Sequence, residues 1–522
     1  MRSSNWHPAL ATWASALTCL MALVPVRGAY KPKRPGMHLA GTRRLTEEEE
    51  ASAQGSTLEE IATGTDHSCV VMQTGSESGL RCWGYNQYGQ LGYEDTELRG
   101  STEGTMGAYL PYVDLGRGGG SIESVVLGYA HTCVLFSSKQ VKCFGRNNRG
   151  QLGYGDTQNR GSGQSQMGNR LPFVDVGEPV ELLTSSGSSV YALTSSGHVK
   201  AWGGNFVGQL GYGDTVARGS APFTMGANLS AVNLGAGLLA WYIQASFPEA
   251  NQFSHVCAIL VNFRVKCWGY GASGRLGYGD TANRGATADT MGENLPFVDL
   301  GTNSTGQPIQ VWWMTMTSGG TCAAMGQVQP SVQVKCWGES QRGQLGYGAT
   351  VTTVGTSTTE MGDSLPFLDF GMDPIWMHAG GDHVCALAAN QSGVKCWGWG
   401  ISGRLGYENE NSLYVIADVP FVNTGMESHT DLQLGFTHTC AESESGGLKC
   451  WGAGFFGQLG MESSSTFGSR EGTMGSSLPW VNICPSSDIF DPQTGVCSFC
   501  PAGSVPQRPN LACSPCALGL YS

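Results

Sequence analysis

The sequence predicts an all-β chain, a seven-bladed β-propeller followed by a small disulfide-rich module. Three observations carry this reading. The first is a block, written initially as RCWGYNQYGQLGY, whose aromatic–glycine pair returns at Trp83, Phe144, Trp202, Trp268, Trp337, Trp397 and Trp451. Six residues after each, a Gly-(Gln/Arg)-Leu-Gly turn begins, at Gly89, Gly150, Gly208, Gly274, Gly343, Gly403 and Gly457. The glycines that follow the aromatics are 61, 58, 66, 69, 60 and 54 residues apart. One unit of about sixty residues is therefore used seven times, the mark of a repeat architecture. The second observation is composition: 77 of 522 residues are glycine and only 13% are charged, which suits short, tightly connected strands better than surface helices. The third is that cysteines recur in pairs at fixed places in the units.

In chain order, residues 1–28 read as an export signal. Arg2 precedes an apolar run from Ala9 to Val26, and Val26 and Gly28 take the small-residue positions before a cut. An uncleaved anchor is the alternative, since the run sits at the short limit for a span. No later stretch is long and apolar enough to cross a bilayer. Residues 29–56 form a disordered linker, basic first (Lys31, Lys33, Arg34, Arg43, Arg44) and acidic after (Glu47 to Glu50). The net charge of −12 and the lack of a basic stripe argue against nucleic acid as a partner, because phosphate affinity comes from clustered Lys and Arg.

The propeller is assigned to residues 57–483. Each unit holds four strand-sized runs bounded by turn residues, seen most plainly in SVVLGYA, HTCVLF, VKCFG and LPFVDVG of the second. HTCVLF and VKCFG are ten residues apart around a short turn and read as antiparallel neighbours. Apolar positions on both faces imply sheets sandwiched between similar sheets, as in a propeller. An open solenoid is the competitor and would need polar end caps. The first unit lacks a preceding LPxVD run, and the seventh ends with a spare one, Leu478 to Asn482. Closure of a ring by that late strand completing the first sheet is the expectation.

The unit cysteines are Cys69/Cys82, Cys133/Cys143, Cys257/Cys267, Cys322/Cys336, Cys385/Cys396 and Cys440/Cys450. The third unit has Tyr191 and Ala201 at both places, so the two cysteines are missing together, as bridge partners would be. With an export signal present, six disulfides within blades are expected. Six separate two-cysteine metal sites would lack the other ligands zinc needs.

The WGxNxxGQLGxGD pattern, preceded by GxxHT and a hairpin, resembles the RCC1 (regulator of chromosome condensation) repeat family over Thr57 to Ile483. The resemblance implies a seven-bladed propeller. Its members range from a nucleotide-exchange factor for a small GTPase to a plant photoreceptor, so function does not follow from the fold. From Cys484 the composition changes. The CxxCPAG and CxxCxxGxYS spacings in 484–522 resemble the cysteine-rich modules of ephrin-receptor and tumour-necrosis-factor-receptor ectodomains. That resemblance implies Cys484–Cys497 and Cys500–Cys513 bridges and leaves Cys516 for a partner beyond Ser522 or in another chain.

Candidates for chemistry are sparse. His67, His131, His255, His383 and His438 recur two residues before a cysteine, and read as strand-end hydrogen-bonding groups. Asp95, Asp156, Asp214 and Asp280 recur four residues before Arg99, Arg160, Arg218 and Arg284, and read as capped turns with a local ion pair. No catalytic set, cofactor site or metal site stands out. Units three to five drift from the pattern and add Trp241, Tyr242, Trp312 and Trp313, residue types favoured at binding hot spots. Asn228, Asn303 and Asn390 begin N-x-Ser/Thr sequons, glycosylation acceptors in an exported chain. The expected function is a non-catalytic extracellular binding or adhesion scaffold, or a receptor ectodomain, for a protein or glycan partner. Guanine-nucleotide exchange, suggested by the family, is the alternative.

Overall fold

The computed structural model describes residues 55–247, 253–325, 332–500, 504–507 and 512–515. The expected export signal, residues 29–54 of the expected linker, and Cys516 lie outside the described residues. The first sheet comprises β1 (Thr57–Thr63), β2 (His67–Thr74) and β3 (Glu77–Gly84). The same order repeats in β4–β6 (Ile122–Leu127, His131–Phe136, Val141–Gly145) and β7–β9 (Val180–Ser186, Ser189–Thr194, Val199–Gly203). It repeats again in β10–β12 (Ala240–Ala245, His255–Leu260, Val265–Gly269) and β13–β15 (Val311–Met316, Gly320–Met325, Gln333–Glu339). The last two are β17–β19 (Pro374–Ala379, His383–Ala388, Val394–Gly398) and β20–β22 (Asp431–Leu434, His438–Glu442, Leu448–Gly452), with β16 (Thr353–Val354) added to the fifth sheet.

Every pairing in these sheets is antiparallel, and the middle strand is buried on both faces, in keeping with its apolar residues at successive positions after the leading polar pair. Each first strand packs against the first strands of the sheets on either side, and β20 packs against β1, so the sheets close into a ring. The apolar clusters lie between consecutive sheets. One of them joins Leu58, Ile61 and Trp83 of the first sheet to Cys440, Leu448 and Cys450 of the seventh.

The repeated tryptophan is the clamp between sheets. Trp83, Trp202, Trp268, Trp337, Trp397 and Trp451 are fully buried. Each donates Nε1–H to a carbonyl in the Gly-(Gln/Arg)-Leu-Gly turn of the preceding sheet, from Trp202 to Gln151 at 3.0 Å round to Trp83 to Gln458 at 3.0 Å. That satisfies the indole's polar atom while burying its ring. The turn must come very close to the next unit. Gly89 has φ of +81°, and a Cβ there would overlap the backbone of Gly161 and Ser162.

Two expectations about the fourth strand are corrected. The LPxVD run adds only isolated contacts rather than a continuous strand, such as Val174 N–H to Val141 O at 2.7 Å. On the edge of β6, the Tyr154 hydroxyl both accepts from Cys143 N–H (3.0 Å) and donates to Cys143 O (2.9 Å). A side chain thus replaces the ladder there. The spare run at Leu478–Asn482 also stays with its own unit. Val481 N–H donates to Leu448 O of β22 at 2.8 Å, as Val113 N–H does to Leu80 O of β3. Each unit starts with its inner strand and ends with its edge run, so sequence and sheet are in phase and no strand is exchanged at closure.

Side chains and the following segment hold the seam instead. Arg81 donates to the carbonyls of Ile483, Gly107 and Leu110. Gly107 N–H donates to Asn482 O at 3.0 Å. After Cys484, β23 (Asp488–Phe490) and β24 (Cys497–Phe499) pair, and Phe490 and Cys497 join the cluster containing Leu58 and Trp83. Asp488, fully buried, accepts Ser56 N–H at 2.6 Å. The start of the expected cysteine-rich module therefore shares its core with the first and seventh sheets.

Candidate functional site

The recurrent histidines are the most ordered polar feature, and they face the interior. His67 Nε2 lies 3.1 Å from Thr132 Oγ1 in the next sheet, and that hydroxyl donates to Gln90 O at 2.8 Å. A hydroxyl whose hydrogen is already placed accepts from the ring, so Nε2 carries the proton. The same relay joins His255 to Thr321, His383 to Thr439 and, across the seam, His438 to Ser68. Where the histidine is replaced, by Ser189 or Gly320, the next sheet carries Val256 or Val384 in place of the hydroxyl. His131 breaks the rule: its neighbour is Val190, and neither ring nitrogen has a partner. Burial lowers these histidines, with His67 and His438 at about 3 and His131 at about 4, so all are neutral. A glycine three residues earlier makes room for each of four rings; a Cβ at Gly64 would strike His67.

The other repeated charges are equally committed. Asp156 binds Arg160 at 2.7 Å and accepts Gln158 N–H at 2.9 Å, and the Arg160 hydrogen bond holds its carboxyl below the usual range. Asp95, Asp214 and Asp280 pair in the same way with Arg99, Arg218 and Arg284. Lys142, Lys266, Lys335 and Lys449, one residue before a bridged cysteine, donate Nζ to pairs of backbone carbonyls, and burial lowers each. Among the described residues, no group of three or more His, Cys, Asp or Glu is placed to hold a metal ion.

The cysteines are joined as Cys69–Cys82, Cys133–Cys143, Cys257–Cys267, Cys322–Cys336, Cys385–Cys396 and Cys440–Cys450, each spanning the second and third strands at directly opposed positions. Cys484–Cys497 and Cys500–Cys513 are joined as well. In the third sheet the opposed pair is Tyr191 and Ala201, both fully buried, so a large ring beside a small residue fills the place of a bridge.

The surface that distinguishes one part of the ring lies on the first strands. Six of these strands carry a bulge at one position, which re-aims the extra residue. That residue is Glu59, Glu123 and Glu181 in sheets one to three, but Trp241, Trp312 and Ile375 in sheets four to six. Trp241 packs on Phe263 and Trp312 with centroids 5.9 and 6.5 Å apart, and Trp312 stacks on Phe263 at 4.5 Å. Tyr242 adjoins Trp241 at 6.2 Å. Trp313 turns the other way, onto Trp376 of the sixth sheet at 4.8 Å, and Trp376 in turn donates to His378. All four expected aromatics are half-buried. The structure thus splits them into two clusters and shifts the arc to sheets four to six. Beside Trp312 lies a groove of about 910 Å³, whose lining includes Arg264, Asn303, Gln333 and Phe367. Asn228, Asn303 and Asn390 are exposed.

Sequence reading missed Trp376, the edge tyrosines and the buried lysines. The Tyr of LGY, present in six units, and the Lys of VKC were visible as repeats, but nothing local says that their polar ends close a sheet edge.

Comparison with known proteins agrees with this architecture. The model for the regulator of chromosome condensation (RCC1) repeat matches residues 59–90 and 122–151. The ultraviolet-B receptor UVR8 of Arabidopsis thaliana is 27% identical over 444 residues, covering 82% of this chain and 86% of the receptor. The human probable E3 ubiquitin-protein ligase HERC4 is 26% identical over 247 residues, 46% of this chain but only 20% of the ligase. Among solved structures, Prp20p of Saccharomyces cerevisiae superposes with a TM-score of 0.55 at 16% identity, over 82% of this chain and 88% of that one. Human WBSCR16 gives 0.54 at 19% identity, over 72% and 84%. At those identities the structures attest the fold alone. The chain thus carries two stretches that match the RCC1-repeat model and has the all-β propeller fold of these structures.

Proposed function

We propose that this RCC1-repeat propeller is a non-catalytic extracellular binding scaffold that holds a protein partner on the aromatic rim of sheets four to six. The observation that carries the reading is the set of paired cysteines in six of the seven sheets, since structural disulfides persist in oxidising compartments and are rare in the cytosol. The absence of catalytic intent is supported by how the polar repeats are used: histidines, aspartates and lysines are engaged in holding sheets and turns together. For the partner, the anchor is the Trp313–Trp376 pair, two half-buried rings stacked across neighbouring sheets, a residue type enriched at hot spots.

The test is affinity capture of the partner by crosslinking at the cell surface, followed by Trp313→Ala with Trp376→Ala. Loss of about 2 kcal/mol or more of binding is expected for a central anchor, with the fold intact. Unchanged affinity in the folded double variant removes this rim from consideration. Guanine-nucleotide exchange rests on the family name alone; the Prp20p structure is described with Gsp1p and histones as that protein's own partners. Accelerated nucleotide release from a small GTPase, with the chain found in the cytosol, would overturn the extracellular reading.

A further inference from the structure

We infer that the groove between sheets four and five is the seat of an N-linked glycan carried by Asn303 in its own wall. The inference rests on the extracellular reading above and deepens it. Residues 302–308 form a closed hairpin. Thr302 and Pro308 are bridged, Asn303 N–H donates to Gln307 O at 2.8 Å, and Gly306 N–H to Asn303 O at 2.9 Å. The hairpin is tied down at both ends, by Thr302 N–H to Asp363 Oδ1 at 2.7 Å and Ile309 N–H to Gly301 O at 3.0 Å. The sequon is therefore presented on a fixed element, and a sugar attached there starts from a fixed direction.

The carboxamide is also held in one orientation. Its Oδ1 accepts Thr305 N–H at 3.0 Å, Thr305 Oγ1–H at 2.7 Å and Gln307 N–H at 3.0 Å, while the residue is exposed. Three donors on the oxygen fix the orientation of the amide and leave Nδ2 as the atom presented outward. In the transfer, a secretory-pathway transferase uses an oligosaccharide linked to a lipid diphosphate. The sugar C1–O bond to phosphate breaks, the C1–Nδ2 bond forms, the lipid diphosphate leaves, and one Nδ2 proton passes to a base of the transferase.

The groove matches saccharide chemistry. Trp312, packed on Phe263 at 4.5 Å, lines the groove with an aromatic ring suited to the C–H face of a pyranose, and Phe367, 42% exposed, lines it too. Arg264 and Gln333 supply guanidinium and amide groups for hydroxyl and acetamido oxygens. Its volume of about 910 Å³ falls in the range of sites that bury a small ligand. Neither Asn228 nor Asn390 is among the groove's lining residues, so these sequons serve as internal controls. A glycan seated here covers Trp312 and leaves Trp313 and Trp376 to the protein partner.

The experiment uses the full chain secreted from a glycosylating eukaryotic host. Glycopeptides are mapped, and enzymatic release of each glycan from native protein is timed. Asn303 should be occupied, and its glycan should be released about tenfold more slowly than that of Asn390. Denaturation, or either Trp312→Ala or Phe367→Ala, should bring the rates together; the second variant covers misfolding of the first. Equal rates in native protein, or an empty Asn303 in secreted protein glycosylated elsewhere, overturn the inference and leave the extracellular reading standing. Quenching of tryptophan fluorescence by free diacetylchitobiose in the wild-type glycoprotein would show an open groove for external sugar and also overturn it. A chain confined to the cytosol with no sequon used would overturn the extracellular reading, and this inference with it.

Discussion

His131 shows how a single residue reports on its neighbour. Its four counterparts each donate to a hydroxyl in the next sheet, and at two further positions the histidine and the hydroxyl are absent together. Replacing Thr132 by Val should strip His67 and the Gln90 carbonyl of a partner and cost about 1–3 kcal/mol. Replacing Val190 by Thr should give His131 its acceptor and raise stability by about 1 kcal/mol. Both are read from denaturant midpoints, and a Val190→Thr variant less stable than wild type would refute the relay at that position. These histidines also set a pH limit. The folded pKa values of His67, His131 and His438, about 3 to 4, lie below the ordinary 6.5, so between those values the unfolded chain binds more protons. Stability is complete above about pH 6.5 and declines as pH falls toward 3. Thermal midpoints across that range should fall with acid, and His438→Gln should flatten the slope; a slope unchanged by the variant would exclude this histidine as a contributor.

At the scale of one element, a sheet is three strands with a patched outer edge. The bridge lies across its second and third strands, closing loops of 10 to 14 residues, worth up to about 3 kcal/mol each in the chain-entropy model. Peptide mapping of non-reduced protein should find Cys133 linked to Cys143 and the other five pairs likewise. Free thiols at most of these positions would end both the bridge assignment and the argument for export that depends on it. The strand pairs were legible because HTCVLF and VKCFG lie ten residues apart around a short turn. The edge was not, because a tyrosine hydroxyl eleven residues away takes the place of a strand, and no local pattern encodes that.

For the molecule as a whole, the seam between the seventh and first sheets decides whether the array is a ring. It is held by devices that recur at other junctions, the Trp83 indole and the His438–Ser68 pair, with Asp488 and the β23–β24 pair added outside. Asp488→Ala leaves Ser56 N–H without its acceptor. Hydrogen exchange should then speed up together in β1 and in β22, which share a cluster with the added pair. Faster exchange in β1 alone would mean that the C-terminal segment caps one sheet rather than closing two.

The sequence by itself determined the number of repeats, the strand pairs within them and the cysteine positions, because each is a local period or a short-range coincidence. It also placed the aromatics in the units where they lie. Only the tertiary structure decided how the sheets meet: Val481 remains on β22, the seam closes through side chains, and Trp312 and Trp313 point into different clusters. The physical reason is that these facts join residues as far apart as Ser68 and His438. A repeat makes all such junctions look alike, and the side chain that fills each one is fixed by the facing sheet, not by the neighbours in sequence.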